Sequence, residues 1–268
     1  MNFLLLFKAE LKRSLLMMKR YPIETVTSVV VLYMFFMIFF LAGKMVGGTS
    51  PSSPIVLGKT MGGLILGYVM WFFAIIAITE MSWGISQEAQ AGTLEQVYMT
   101  SFGPVAVFLA RFLADLLPNL IIITILLFLL MVSTGIYLSF PLFSTLLVVG
   151  LTILGLYGFG FILGGMALIF KRIGQVAQVL QFVFLFLAMT PVEKLPSSIQ
   201  IFAQTLPLTQ GVKVMRLVIL EHRALSQLQM LKEIAILIIN SFGYLVLGIL
   251  VYLWMDRIAR NKGLLSHY

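Results

Sequence analysis

From Leu116 to Phe170 the chain reads LLPNLIIITILLFLLMVSTGIYLSFPLFSTLLVVGLTILGLYGFGFILGGMALIF, 55 residues without one charged side chain. At about 1.5 Å per residue, a single helix of that length would run more than twice the thickness of a bilayer's hydrocarbon core. The stretch must therefore fold back on itself. The turn is placed at Leu138-Ser139-Phe140-Pro141, because proline cannot continue the preceding helix. This gives one span at 119–138 and a second at 142–170.

The rest of the chain follows the same logic. It is 60% hydrophobic and 10% charged, with a mean hydropathy of +1.06, far too little polar surface to cover a soluble globule. Charged side chains are costly in the bilayer core, so long intervals without them mark crossings. Four more such intervals lie at 25–43, 60–79 (ended by Glu80, for a span at 60–80), 173–192 and 234–255. The expected fold is therefore all-α: a polytopic membrane protein with six transmembrane helices. The uncharged run Leu195 to Val212 is excluded as a crossing by Pro196, Ser197, Ser198, Gln200, Gln204, Pro207 and Gln210. A pair of short interfacial or re-entrant helices within an outer segment at 191–232 fits it better.

Six crossings put both termini on one side, and basic residues decide which. Lys8, Lys12, Arg13, Lys19, Arg20, Arg111, Lys171, Arg172, Arg257, Arg260 and Lys262 make eleven on the terminal side against seven on the other. The termini are expected in the cytoplasm, with the body at 23–255 and a tail at 256–268. Residues 1–22 form an amphipathic helix in the interface: Leu4, Phe7, Leu11, Leu15 and Met18 share one sector, edged by Lys8, Lys12 and Lys19. A signal peptide is not expected, since the basic cluster follows the first apolar residues and no small-residue cleavage site is present. The net charge of +8 stands beside apolar runs with no separate basic domain, so anionic lipid headgroups are the expected partner and nucleic acid is not. The chain has no cysteine, which removes disulfides, thiolate metal sites and cysteine catalysis.

Smaller features each have a bland and a functional reading. Gly58-Lys59-Thr60 imitates the end of a phosphate-binding loop, but Ser53 stands where that motif needs its first glycine. Glycines four apart at Gly58 and Gly62, Gly63 and Gly67, and Gly160 and Gly164 allow close helix approach. Glu80 and Trp83 mark the end of the second span, and Arg111 with Asp115 forms an i, i+4 pair on a helix that slants along the cytoplasmic interface before Pro118. Gln175, Gln178 and Gln181 share one face of the fifth span, directed into the bundle, toward a partner subunit or toward a hydrated path. Asn240 in the sixth span admits the same readings. His222 and His267 are isolated, and no metal site is expected.

One polar interval remains. Ser86 to Phe102 reads SQEAQAGTLEQVYMTSF between two very apolar runs, and Glu88, Gly92, Thr93, Leu94 and Glu95 have the look of a docking element. Thr93 with Gln96 three residues on suggests an N-cap and capping box for a short helix running toward Met99.

Here the chain resembles the membrane subunit of type-2 ABC exporters, the ABC-2 permease family. Two signatures carry the likeness: Glu88-Ala89-Gln90-Ala91-Gly92-Thr93-Leu94-Glu95 in the loop after the second span, and Pro191 through Leu195-Pro196, Leu206-Pro207-Leu208-Thr209 and Arg216 before the last. Unlike the family's more highly charged loop, this one is nearly neutral. The resemblance implies a permease without enzymatic activity of its own, coupled through a loop at about 84–117 (Glu88, Gly92, Thr93, Leu94, Glu95, Tyr98) to a separate ATP-binding subunit that carries Mg-ATP. It further implies a second permease copy or paralogue, a path or interface near Gln175, Gln178, Gln181 and Asn240, an outer re-entrant segment containing Pro191, Pro196, Pro207 and Arg216, and residence in the plasma membrane. The expected cargo is lipidic, amphipathic or drug-like and moves outward. Leu94→Asp is expected to abolish ATPase association or transport. The alternative is an ATP-independent secondary transporter or channel, which should show buried ionisable pairs or two similar halves, and neither is seen.

Overall fold

A computed structural model describes residues 3–47, 54–90, 92–170, 173–192, 196–223, 225 and 227–262. Lys171, Arg172, Glu193, Lys194, Leu195 and His267 lie outside the described residues, as do the side chains of Lys44, Lys59 and Glu95. The regular elements are helices: α1 (Phe3–Arg20), α2 (Pro22–Gly47), α3 (Pro54–Gln90), α4 (Leu94–Met99), α5 (Gly103–Thr134), α6 (Leu142–Ile169), α7 (Gly174–Met189), α8 (Ser197–Thr205), α9 (Pro207–Ile219) and α10 (Leu228–Asn261). The all-α expectation holds among them.

Of the six expected crossings, five correspond to helices long and apolar enough to span a bilayer: Pro22–Ala42, Met61–Ile85, Gly103–Thr134, Leu142–Ile169 and Leu228–Asn261. The sixth is α7, whose 16 residues extend only about 24 Å. Ile173 caps its start and Thr190-Pro191 ends it, so the helix is shorter than the uncharged interval.

Three boundaries differ from expectation. The third crossing does not begin at Pro118: α5 is continuous from Gly103 to Thr134, with Pro118 inside. The proline removes the backbone donor to the Ala114 carbonyl, and, one position on, Asn119 Nδ2 donates to the Asp115 carbonyl at 2.8 Å. Its end falls at Gly135 rather than Leu138, followed by an extended segment to Pro141. Ser86–Gln90, expected as loop, is instead the last part of α3. Gly58-Lys59-Thr60 is likewise helical within α3 rather than a loop.

α3 is the interior helix, buried along most of its span, with α6 and α7 against it. Glycine sets the spacing. A Cβ on Gly67 would lie 2.2 Å from the Ala188 carbonyl of α7, and one on Gly160 would lie 2.7 Å from the Ala77 carbonyl. The predicted small-residue contacts therefore pack this chain against itself. The closest approach joins α6 to α10, where a Cβ on Gly248 would stand 1.9 Å from the Gly158 oxygen.

α9 is largely buried between α3, α6 and α10. Pro207 opens it, a position where a missing N–H costs nothing. Gln210 Nε2 and Lys213 Nζ each reach the Glu233 carboxylate at 2.8 Å, tying α9 to the start of α10. Two short helices, α8 and α9, thus occupy the segment at 191–232. At the other end of the bundle, α1 packs on α5, and α4 meets the last turns of α10. Its inward face differs somewhat from the predicted stripe: Phe7, Leu11 and Met18 are half-buried with Glu10 and Ser14, whereas Leu4 and Leu15 are exposed.

Candidate functional site

The region around α4 starts from the way α3 stops. The Thr93 N–H donates to the Glu88 carbonyl at 3.0 Å, the six-to-one bond of a Schellman end, and Gly92 sits between with φ +69°. Only glycine takes that left-handed conformation at little cost, so Gly92 re-aims the chain into α4. Thr93 is the N-cap as expected, but the capping box does not form: its Oγ1 donates to the Glu88 carboxylate and, at 3.3 Å, to the Glu88 carbonyl.

α4 sits between an apolar and a polar set of contacts. Leu94 (3% exposed) and Val97 face the core, whereas Gln96 and Met99 (84% exposed) face outward. Glu88 accepts from Arg111 Nη1 on α5 at 2.8 Å, and Arg111 Nε lies 3.7 Å from Glu10 on α1, which also pairs with Arg13 at 2.9 Å. Arg111 is therefore paired across helices rather than with Asp115, its i+4 neighbour, which faces Glu80 instead. The i, i+4 expectation fails because a carboxylate pair from α1 and α3 offers the guanidinium better partners than a solvated helix surface does.

Burial pushes the Glu88 carboxyl upward, but hydrogen bonds from Thr93 and Arg111 outweigh it and hold the group below the ordinary carboxylate range. A depressed folded-state value adds stability that is present above the unfolded pKa and lost as pH falls through the folded one. We expect α4 and the end of α3 to loosen only at pH below the ordinary carboxylate range. Hydrogen-exchange protection at Gly92–Thr100, measured across pH 7 to 3 and corrected for the intrinsic exchange rate, checks this, and Glu88→Gln should remove the transition. Unchanged protection across that range would refute it.

On its other side, Tyr98 Oη donates to Asp256 Oδ1 of α10 at 2.7 Å and lies 3.4 Å from Tyr252 Oη. Arg260 grips the same carboxylate from Nε and Nη2 at 3.0–3.2 Å, with its guanidinium 4.6 Å from the Tyr98 ring centroid. Burial, then Tyr252 and Asp256, push the Tyr98 phenol well above its usual range, so it stays a neutral donor. Asp256 and Arg260 were not singled out by sequence. The available signal was their i, i+4 spacing at the end of the last span beside Tyr252, which by itself reads as an ordinary surface pair.

The other predicted residues fall elsewhere. Gln175 and Gln178 are exposed on α7, and only Gln181 turns inward, donating to Thr79 Oγ1 at 3.1 Å. Asn240 Nδ2 donates to the Gln204 carbonyl at the end of α8 at 3.2 Å. Arg216 Nη2 donates to the carbonyls of Gly63 (3.3 Å), Ala188 (2.9 Å) and Met189 (3.2 Å), a cation on the carbonyl end of α7. With Gly63, Pro191, Lys213 and Glu221 it lines a cavity of about 420 Å³. Pro196 caps the start of α8, and Pro207 packs at Gly155.

The architecture is that of a multi-pass helical membrane protein. The chain matches the ABC-2 type transporter family over residues 5–220 and belongs to that family. Comparison with curated proteins gives no match. The matched region runs from α1 through α9 and so contains α4 and the glycine-turned end of α3. The chain is therefore the membrane subunit of an ABC transporter.

Proposed function

We propose that this permease is an exporter subunit, that α4 is its coupling helix, and that a separate Mg-ATP-binding subunit docks on the exposed face carrying Gly92, Gln96 and Met99. The carrying observation is the arrangement of α4: a six-residue helix with its apolar side seated, its flanks tied to α1, α3, α5 and α10, and, among its described side chains, neutral Gln96 and Met99 facing outward. Glu88, Thr93, Leu94 and Tyr98 then hold the helix in place, and the docking contacts come from the residues between them.

Two copies, or a copy and a paralogue, enclose the path in this scheme, with Gln175 and Gln178 supplying exposed amides on the outer face of α7 for the neighbouring subunit or for water. α7 serves as a short sixth crossing. Supporting this, Gly174 lies beside Trp83 near one end of the α3 span and Ala188 beside Gly67 toward the other, and a short helix is accommodated by local bilayer thinning. The α4 end then faces the cytoplasm of a plasma-membrane protein, as the excess of basic residues there supports, and α1 rests in the interface. α8 and α9 form a re-entrant cap at the exit, and the cargo is lipidic, amphipathic or drug-like.

The test separates seat from dock. Met99→Asp should leave the folded chain intact and reduce ATPase copurification about tenfold, the effect of a charge in a small apolar contact. Leu94→Asp should remove both, because it buries an unpaired carboxylate. Undiminished copurification with Met99→Asp and Gln96→Asp combined, from a chain that carries an ATPase when unaltered, would overturn the assignment of the docking face.

A further inference from the structure

α4 is joined to α10 by a more specific polar contact than a passing helix needs. Asp256 is 5% exposed, yet all its visible partners are supplied: Tyr98 Oη at 2.7 Å and the Arg260 fork at 3.0–3.2 Å. The Arg260 guanidinium also lies over the Tyr98 ring at 4.6 Å, so the three side chains form a closed triangle between the two helices. α10 in turn cannot slide freely on α6. Gly158 and Gly248 bring the two backbones into contact, and Gly165 does the same near Tyr252 and Met255, one turn from Asp256.

Resting on the coupling reading above, we propose that Tyr98, Asp256 and Arg260 are a latch that makes α10, and α6 with it, follow α4. Asp256 is its positioning residue. A displacement imposed on α4 then reaches the bundle by two routes: through Glu88 and Arg111 into α3, α5 and α1, and through Tyr98 and Asp256 into the α10–α6 pair. The second route crosses 158 residues of sequence in one hydrogen bond. It also explains why a charge is kept in a nearly buried position, where an apolar residue would pack at lower desolvation cost.

The chain has no cysteine, so spin labels can be placed at will. Labels at Ser101 and Arg257, both exposed, report the α4–α10 separation, and labels at Ile23 and Arg257 report movement of α10 against α2. Distances are read by pulsed electron resonance on the permease–ATPase complex, with and without Mg-ATP and vanadate. The latch predicts that trapping shifts the Ile23–Arg257 distance while the Ser101–Arg257 distance stays narrow and unchanged. Tyr98→Phe keeps the ring and its packing but removes the hydroxyl. It should broaden the Ser101–Arg257 distribution and cut the fraction of complexes with shifted α10 about tenfold, the value of one buried hydrogen bond to a charge. Asp256→Asn should do the same, and Arg260→Lys, which keeps charge but not the fork, should fall between.

An α10 shift that persists in both Tyr98→Phe and Asp256→Asn overturns the latch, as does a trapped wild-type complex in which α10 stays still. In both cases ATPase binding to the labelled chain leaves the coupling assignment standing. A wild-type chain that retains no ATPase overturns that assignment and the latch together.

Discussion

Replacing Arg111 with methionine is expected to release α1 from the bundle and unseat the end of α3, with a loss of about 2–3 kcal/mol in stability. Removing one partner of a buried ion pair costs about 3–5 kcal/mol when the remaining charge is fully enclosed. The side chains here are 13% exposed on Arg111 and Glu10 and 18% on Glu88, so partial solvation lowers the figure. The loss is large because one guanidinium serves two carboxylates from different helices: without it, Glu88 loses its cation and Glu10 keeps only Arg13 on its own helix. Lysine at the same place should recover less than half, since a single ammonium cannot span both acceptors. The measurement is tryptic cleavage within α1, which offers Lys8, Lys12, Arg13 and Lys19, together with thermal unfolding in detergent. A double-mutant cycle gives the sharper outcome. Glu88→Gln placed in the Arg111→Met chain should restore part of the loss, because it removes a carboxylate whose guanidinium partner is gone, whereas Glu10 keeps Arg13 at 2.9 Å. Strictly additive effects would mean that the cluster is three solvated side chains and no tie at all.

The two halves of this region differ in how far sequence could reach them. Gly92, Thr93 and the short helix to Met99 were legible because turn chemistry is local: a glycine and a threonine after a helical run admit few conformations. The partners of that helix were not. Tyr98 and Asp256 meet only because α3, α4 and α10 bring their ends together, and no periodicity carries information across that distance.

The spans tell the same story. Absence of charge located the crossings well, since solvation of charge is a strong term, but it located membrane intervals rather than helix ends. Glu80 to Gln90 contains no breaker except Gly84, so α3 runs on beyond the charge that marks the membrane boundary. Pro118 looked like a beginning, yet the helix runs through it from Gly103 to Thr134. Conversely, 173–192 was uncharged for long enough, but Thr190-Pro191 shortens its helix. Arg216 was selected by family likeness. Its three carbonyl acceptors on α3 and α7 were beyond any spacing rule.

The second large effect concerns Gly248. Alanine there is expected to destabilise the chain by about 3 kcal/mol, at the upper end of the range for overpacking, while alanine at Gly243 on the same helix should be neutral or stabilising by up to about 1 kcal/mol. The sign follows from what the added methyl meets. At 248 it would stand 1.9 Å from the Gly158 oxygen and 2.6 Å from its carbon, backbone atoms that have no rotamer to change. At 243 it meets nothing within 4 Å. Relief at 248 requires α10 to move away from α6 as a body, and that motion would also strain the Gln210 and Lys213 contacts to Glu233 at one end and the Tyr98 contact to Asp256 at the other. Side-chain truncation on α6 cannot rescue it, since the obstacle is main chain. Melting temperatures of the purified single variants in one detergent decide the matter. Equal melting of Gly248→Ala and Gly243→Ala would show that the two helices are not in backbone contact, and α10 would then be free to answer α4 without carrying α6.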